Sequence, residues 1–185
     1  MYAQTRGTFA TDGPRNRRAK RALVQGRRAH GILVYADGEP VGWCAYGRRE
    51  ELPRMDGNRR YRGLEHGDAG RRWRITCFFV DRGHRGHGVA GAALRAALAA
   101  IRRRGGGIVE AFPATKPVRF LLYYGTVGMF GQEGFQVVAP LGPAQVLMTR
   151  TVRGRGRGRR PAERRLRARP GPRGTAPSGA AGPSP

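Results

Sequence analysis

Apolar residues come in short, separated runs along this chain, and their spacing alternates between strand-like and helix-like periods. "GILVYA" (31–36) and "VGWCAYG" (41–47) are β-rich runs joined by "DGEP", a hairpin signature. "RWRITCFFV" (72–80) is the strongest strand pattern. Beyond it Ala90, Leu94, Ala97, Leu98 and Ile101 recur at helical spacing, with Arg95 and Arg102 to Arg104 on other faces. "GGG" at 105–107 stops that helix through conformations only glycine adopts cheaply, and "IVEAF" (108–112) returns as a strand. Residues 72–112 therefore read as a strand-helix-strand unit. A short helix from about Thr126 to Glu133, with Thr126 as N-cap, precedes two last strands, "GFQVVA" (134–139) and "AQVLMTRTV" (144–152).

The other segments are weaker in pattern. Residues 14–29 read as a basic helix with a thin apolar stripe. Residues 48–72 carry charge and glycine with little periodicity, and a long exposed loop is expected there. From Arg153 onward the chain is Arg-, Gly- and Pro-rich and cannot bury an apolar face, so a disordered tail is expected. The division expected is one domain over 1–152 and a tail over 153–185.

A hydrophobic content of 39% supports a real core, and 185 residues favour one domain over two. The net charge is +24. Lys20 and Lys116 are the only lysines, and an arginine skew beside abundant Ala, Gly and Pro fits a GC-rich coding bias. The same charge also fits a polyanion partner, with non-specific nucleic acid held through residues 153–173. Cys44 and Cys77 sit in separate strand-like runs, which suits buried thiols better than a disulfide framework or zinc. The start has no apolar leader and no run approaches 18 apolar residues, so a soluble cytoplasmic protein without membrane contact is expected.

The stretch "VDRGHRGHGVAGAALRAAL" (80–98) invites three phosphate-binding readings. A P-loop fails, because Val89 and Ala90 stand where Lys and Ser/Thr are needed. A dinucleotide fingerprint is spelled by Gly86, Gly88 and Gly91, with Glu110 19 residues beyond. However, "DRGHR" separates it from its strand, and a hairpin rather than a βαβ series precedes it. The third scheme is R-x-x-G-x-[GA], spelled by Arg85, Gly86, His87, Gly88, Val89 and Ala90. There the N–H groups opening a helix wrap a pyrophosphate, aided by the helix dipole. Gly88 admits the phosphate to the main chain, Ala90 permits close packing, and Arg85 adds charge.

In these motifs the sequence resembles the GNAT family of N-acetyltransferases, from about Gly31 to Val152. "DGEPVGWCAYG" is similar to the family's hairpin, and "WRITCFFVDRGHRGHGVAGAALRAAL" to its fourth strand, pyrophosphate loop and third helix. "GTVGMFGQEGFQVVA" resembles its fourth helix and the "GF" opening of the sixth strand. The resemblance implies an α/β (α+β) fold: a mixed, mostly antiparallel sheet flanked by helices and splayed between strands 72–80 and 108–112. Acetyl-coenzyme A would lie in that V, its pantetheine against main-chain groups near Phe79 and Val80 and its pyrophosphate on residues 85–90. The reaction implied is attack of a neutral amine on the thioester. Two departures stand out. Only about 30 residues precede the hairpin, without a convincing first strand, which suggests a trimmed domain or a start upstream of Met1. And Phe130 occupies the position, four before Gly134, where the family often places a Tyr beside the cofactor as general acid.

The base must take a proton from an amine whose pKa, if lysine-like, is near ~10.4. Glu110, in a strand expected to line the cleft, is the first candidate, acting through water; facing solvent or pairing with an arginine is the other reading. Tyr123 and Tyr124 precede the fourth helix and could supply a proton, or simply pack. His84, His87 and Cys77 have poor zinc spacing, and no metal is expected. The expectation is therefore an acetyl-coenzyme A-dependent N-acetyltransferase acting on a small-molecule or protein amine, with the oligomeric state open. A coenzyme A binder with little turnover and a nucleic-acid-binding protein are the alternatives.

Overall fold

The computed structural model describes residues 13–64, 70–118 and 121–155. A basic helix α1 (Gly13–Gln25) leads into the hairpin of β1 (His30–Ala36) and β2 (Glu39–Arg48). The turn consists of Asp37 and Gly38 alone, both at positive φ (50° and 82°), the geometry that matches strand twist. Both strands therefore run closer to the turn than the apolar pattern suggests.

Two 3₁₀ turns (Arg49–Glu51 and Pro53–Gly57) and a one-turn helix α2 (Arg59–Arg62) come next. They are followed by β3 (Arg72–Val80), α3 (Val89–Arg103), β4 (Gly106–Ala111), α4 (Val127–Gln132), β5 (Gln136–Gly142) and β6 (Gln145–Arg153). The strands form one sheet in the order β1-β2-β3-β4-β6-β5. Only β3 and β4 pair in parallel, and α3 is their crossover.

The strand-helix-strand unit expected from the spacing is present. Gly106 sits at φ 69° against β6, where a Cβ would collide with the Val152 carbonyl. Only glycine fits both constraints. The Thr126 hydroxyl accepts from the Met129 amide at 3.2 Å and caps α4 as anticipated. The Gly134–Phe135 pair lies before β5 rather than inside it, with Phe135 buried in the core.

The sheet is packed on both faces. On one, Leu94, Ala97 and Ile101 of α3 and Phe130 of α4 meet Trp73, Ile75, Phe78, Cys44 and Val109. A fully buried Leu or Ile side chain contributes roughly 1.5–3 kcal/mol. On the other, Met55 and Tyr61 pack with Phe112, Leu141 and Leu147. That second layer corrects the reading of 48–72 as an exposed loop. Leu52, Met55 and Tyr61 are buried at 2%, 6% and 0% exposure, although residues 65–69 lie outside the described set. Three apolar residues among charges leave no periodic trace, yet they cover the sheet because their charged neighbours are satisfied by it. Asn58 completes the attachment, accepting from the Arg60 and Tyr61 amides and donating to the Leu141 carbonyl.

Candidate active site

β3 and β4 pair only from Arg72↔Ile108 to Ile75↔Ala111. The next residue of β3, Thr76, is also a bulge against β2: Tyr46 faces Ile75 while Ala45 faces Cys77. A bulge bends its strand and re-aims the side chains beyond it. Trp73 and Ile75 precede it and Phe78 follows it, yet all three reach the same core. The strands thus part at Thr76, and residues 76–80 have no β4 partner. Thr76 is 4% exposed, and its hydroxyl is a buried polar atom with no hydrogen-bond partner among the described residues. Such an orphan, at the apex of a V, calls for a group that fills the V. Phe79, 53% exposed, and Val80 form the free end of the strand.

The glycine loop follows at once. Asp81 accepts from the Gly83 amide and approaches His84 Nδ1 at 3.3 Å; the hydrogen bond from His84, then that from Gly83, holds its carboxyl below the usual range. Arg85 folds back so that its Nε donates to the Val80 carbonyl at 3.2 Å. Gly86 and Gly88 take left-handed backbones (φ 80° and 76°), and a Cβ on either would meet nothing within 4 Å. Gly88 is the N-cap of α3 and supplies no side-chain cap to the first amides of this 15-residue helix. No acidic residue stands in its first turn, which leaves the dipole uncompensated. His87 is exposed, Val89 and Ala90 are half-buried, and Ala90 packs against the core.

Glu110 meets arginines, one of the readings its strand position left open. It is 0% exposed and faces the second layer rather than an open cleft. Arg72 Nη1 donates to Oε1 at 2.9 Å and Arg74 Nε to Oε2 at 3.1 Å, while the Tyr61 hydroxyl lies 2.9 and 2.8 Å from the two oxygens. Three donors thus meet the carboxylate, the single phenolic proton lying between its two oxygens. Arg74, also fully buried, further donates to the Leu52 carbonyl and to both oxygens of Asp56, which Arg49 also meets. Burial pushes the Tyr61 phenol up to about 12, with Arg74 pulling the other way. Asp56 is opposed by burial, but hydrogen bonds and charge from Arg74, then Arg49, hold its carboxyl below the usual range.

The two tyrosines lie in a 3₁₀ turn (Leu122–Tyr124) that runs alongside β3. Tyr123 is 48% exposed, whereas Tyr124 is half-buried against the second-layer core, and burial raises its phenol pKa. Phe130, expected beside the cofactor, is 0% exposed, wedged edge-on between Phe78 and Phe135 at 6.0 and 5.0 Å. In the chain alone α4 turns this position into the core. Phe130→Tyr is accordingly expected to cost ~1–3 kcal/mol, the penalty of a buried hydroxyl without a partner, and not to raise turnover. Thermal melts of the two forms check it. Burial raises the pKa of Cys77, opposed by Lys20, and no three His, Cys, Asp or Glu side chains gather among the described residues.

A parted β3–β4 pair with a glycine loop opening α3 is an arrangement that can be compared. The family model described as "Acetyltransferase (GNAT) family" matches residues 3–119, over half of the chain. The chain belongs to the GNAT acetyltransferase family. Membership implies acetyl transfer from acetyl-coenzyme A. Among solved structures, this GNAT protein is similar to an N-acetyltransferase from Staphylococcus aureus Mu50, at 13% identity and TM-score 0.51 over 79% of this chain and 80% of that one. A ribosomal-protein-alanine N-acetyltransferase from Brucella melitensis gives 14% and 0.51 over 77% and 80%. A GNAT-family acetyltransferase from Streptococcus agalactiae 2603 gives 18% and 0.51 over 77% and 75%. At these identities the likeness is one of fold. No curated protein matches in sequence. Among the described residues no helix is long and apolar enough to cross a membrane.

Sequence reasoning missed Thr76, Asp56, Tyr61 and Arg74. A bulge leaves no mark in a strand pattern, and an arginine inside "RWRITCFFV" reads as an outward position. The one available signal was the excess of charge in a segment that also held Leu52, Met55 and Tyr61.

Proposed function

We propose that this GNAT protein transfers the acetyl group of acetyl-coenzyme A to a primary amine by direct attack of the neutral amine on the thioester. The observation that carries the reading is the coincidence, within fifteen residues, of an orphan hydroxyl at the parting of β3 and β4 and two left-handed glycines with open Cβ directions at the start of α3. These residues fit the cofactor. The amides after Gly88 would hold its pyrophosphate, with Arg85, Gly86, His87, Val89 and Ala90 around it, and main-chain groups of Phe79 and Val80 would face its pantetheine. When bound it supplies an activated acyl group and a thiolate leaving group.

The chain's own part is orientation and proton handling. Glu110 is assigned to positioning: with both oxygens engaged by Arg72, Arg74 and Tyr61, it ties the second layer to β4. Tyr124 is taken as the proton donor of the tyrosine pair because it is half-buried in the turn beside β3, whereas Tyr123 is 48% exposed. A coenzyme A thiol, near pKa ~8.5, is a tolerable leaving group. The acid's share is therefore put at the lower end of the usual range, about 10²-fold. Tyr124→Phe is expected to lower kcat by that factor with KM for acetyl-coenzyme A unchanged; a wild-type kcat would remove it from the role.

The reading as a whole is tested by thiol release from acetyl-coenzyme A across a panel of amines: small molecules, polyamines and peptides with free N-termini. Amine-dependent release, with an N-acetyl product by mass, supports it. Binding without release for any amine would leave a cofactor-binding GNAT protein with little turnover.

A further inference from the structure

We propose that a cavity of about 580 Å³ between α1 and the β1–β2 edge is a binding site for a phosphorylated aromatic molecule, a nucleotide, separate from the cleft between β3 and β4. Its size lies within the ~300–1,000 Å³ of small-molecule sites. Its position is away from the glycine loop. Arg104 on its wall follows the last turn of α3, roughly 20 Å along the helix from the loop that opens it.

Charge selects the ligand. The walls carry Lys20, Arg27 and Arg104, and among the described residues no carboxylate lines them. Glu51 lies 3.3 Å from His30 Nε2 and accepts the Arg48 amide. Each cation is placed by a separate device. Lys20 is half-buried with its ammonium 5.6 Å from the Trp43 ring centroid, and burial lowers its pKa. Arg104 donates to the Tyr46 hydroxyl at 2.6 Å. Arg27 holds a left-handed backbone, φ 54°, in the turn that closes α1, where its amide bonds the Val24 carbonyl and the Arg28 amide bonds the Leu23 carbonyl. That helix-ending turn sets the arginine at the cavity. Three cations suit more than one negative charge, and a phosphate monoester carries about −1.5 to −2 at neutral pH.

The apolar wall selects the rest. Val24 and Leu33 are 53% and 54% exposed, and the Trp43 indole lies across β1 because Gly31 has no side chain: a Cβ there would stand 2.5 Å from Nε1. Apolar surface and a ring beside cations are what a planar base joined to a phosphate can cover at once.

The test is calorimetric titration of the full chain with adenosine 5′-monophosphate in the presence of saturating coenzyme A, so that the cofactor site is occupied. Saturable binding is expected. Lys20→Gln and Arg27→Gly are each expected to weaken it about tenfold, and Arg27→Gly should leave the melting temperature unchanged or raised because it relieves the left-handed strain. Inorganic phosphate alone should bind at least tenfold more weakly than the nucleotide. A 5′-phosphorylated single-stranded RNA pentamer separates the sources: tighter binding than the mononucleotide names a nucleic-acid end, equal or weaker binding names a free nucleotide. Arg59→Gln removes the same charge from α2 and should change nothing. The proposal is overturned if nothing binds once coenzyme A is saturating, if phosphate matches the nucleotide, or if Arg59→Gln weakens binding as much as Lys20→Gln. None of these outcomes depends on whether the chain turns over acetyl-coenzyme A.

Discussion

Arg74→Met is expected to destabilise the protein by about 3 kcal/mol, at the lower edge of the cost of removing one partner from a buried ion pair. Arg74 is fully buried and meets Glu110, Asp56 and the Leu52 carbonyl. Its loss strands Glu110 with Arg72 and Tyr61, and Asp56 with Arg49, which is why the expected cost is not larger. Combining Arg74→Met with Glu110→Leu should recover part of it, since two apolar side chains leave no uncompensated charge. Urea unfolding of the three variants measures this. A pH dependence accompanies it. The Asp56 carboxyl is held below its ordinary value in the folded chain, so its contribution is present above the unfolded pKa, ~3.9, and is lost as pH falls below that. Wild type should therefore lose stability over the acid window more steeply than Arg74→Met. Equal stability of wild type and Arg74→Met at neutral pH would contradict the role given to this network.

The second large effect is at the glycine loop. Gly88→Val should weaken acetyl-coenzyme A at least tenfold, about 1.4 kcal/mol. Two causes act together. A β-branched residue at φ 76° is strained, and its side chain would project into space that is open in the chain alone and that the account gives to pyrophosphate. Because nothing in the protein meets a Cβ there, the loss should appear in affinity more than in melting temperature. Calorimetry with a parallel melt separates the two, and full affinity in a folded variant would remove the loop from the site.

Where the sequence was legible, a single period ran unbroken. The α3 stripe from Ala90 to Ile101 and the run of β3 each present one face to one core, so spacing alone indicated them. The glycine loop was legible for a different reason: left-handed backbone at Gly86 and Gly88 requires glycine, and the sequence writes that requirement directly. The segment from Arg49 to Leu64 was not legible, because it is anchored by buried charge and three scattered apolar residues rather than by a stripe. Its partner Arg74 looks like any outward strand position until Asp56 is folded onto it. Glu110 stayed open between two readings for the same reason, since a strand glutamate carries no mark of whether it meets solvent, substrate or an arginine. Phe130 shows a further limit: its distance from Gly134 is visible in sequence, but its packing between Phe78 and Phe135 is not.

The central claim is that acetyl-coenzyme A is held by the loop at residues 85–90 and the parted end of β3. Hydrogen exchange of the intact chain, read by mass spectrometry with and without saturating acetyl-coenzyme A, tests it most directly. The account predicts slowed exchange in peptides covering residues 76–92, where unpaired β3 amides and the first amides of α3 lie, and no change across β5. Unchanged exchange at 85–92, with protection elsewhere or nowhere, would contradict it.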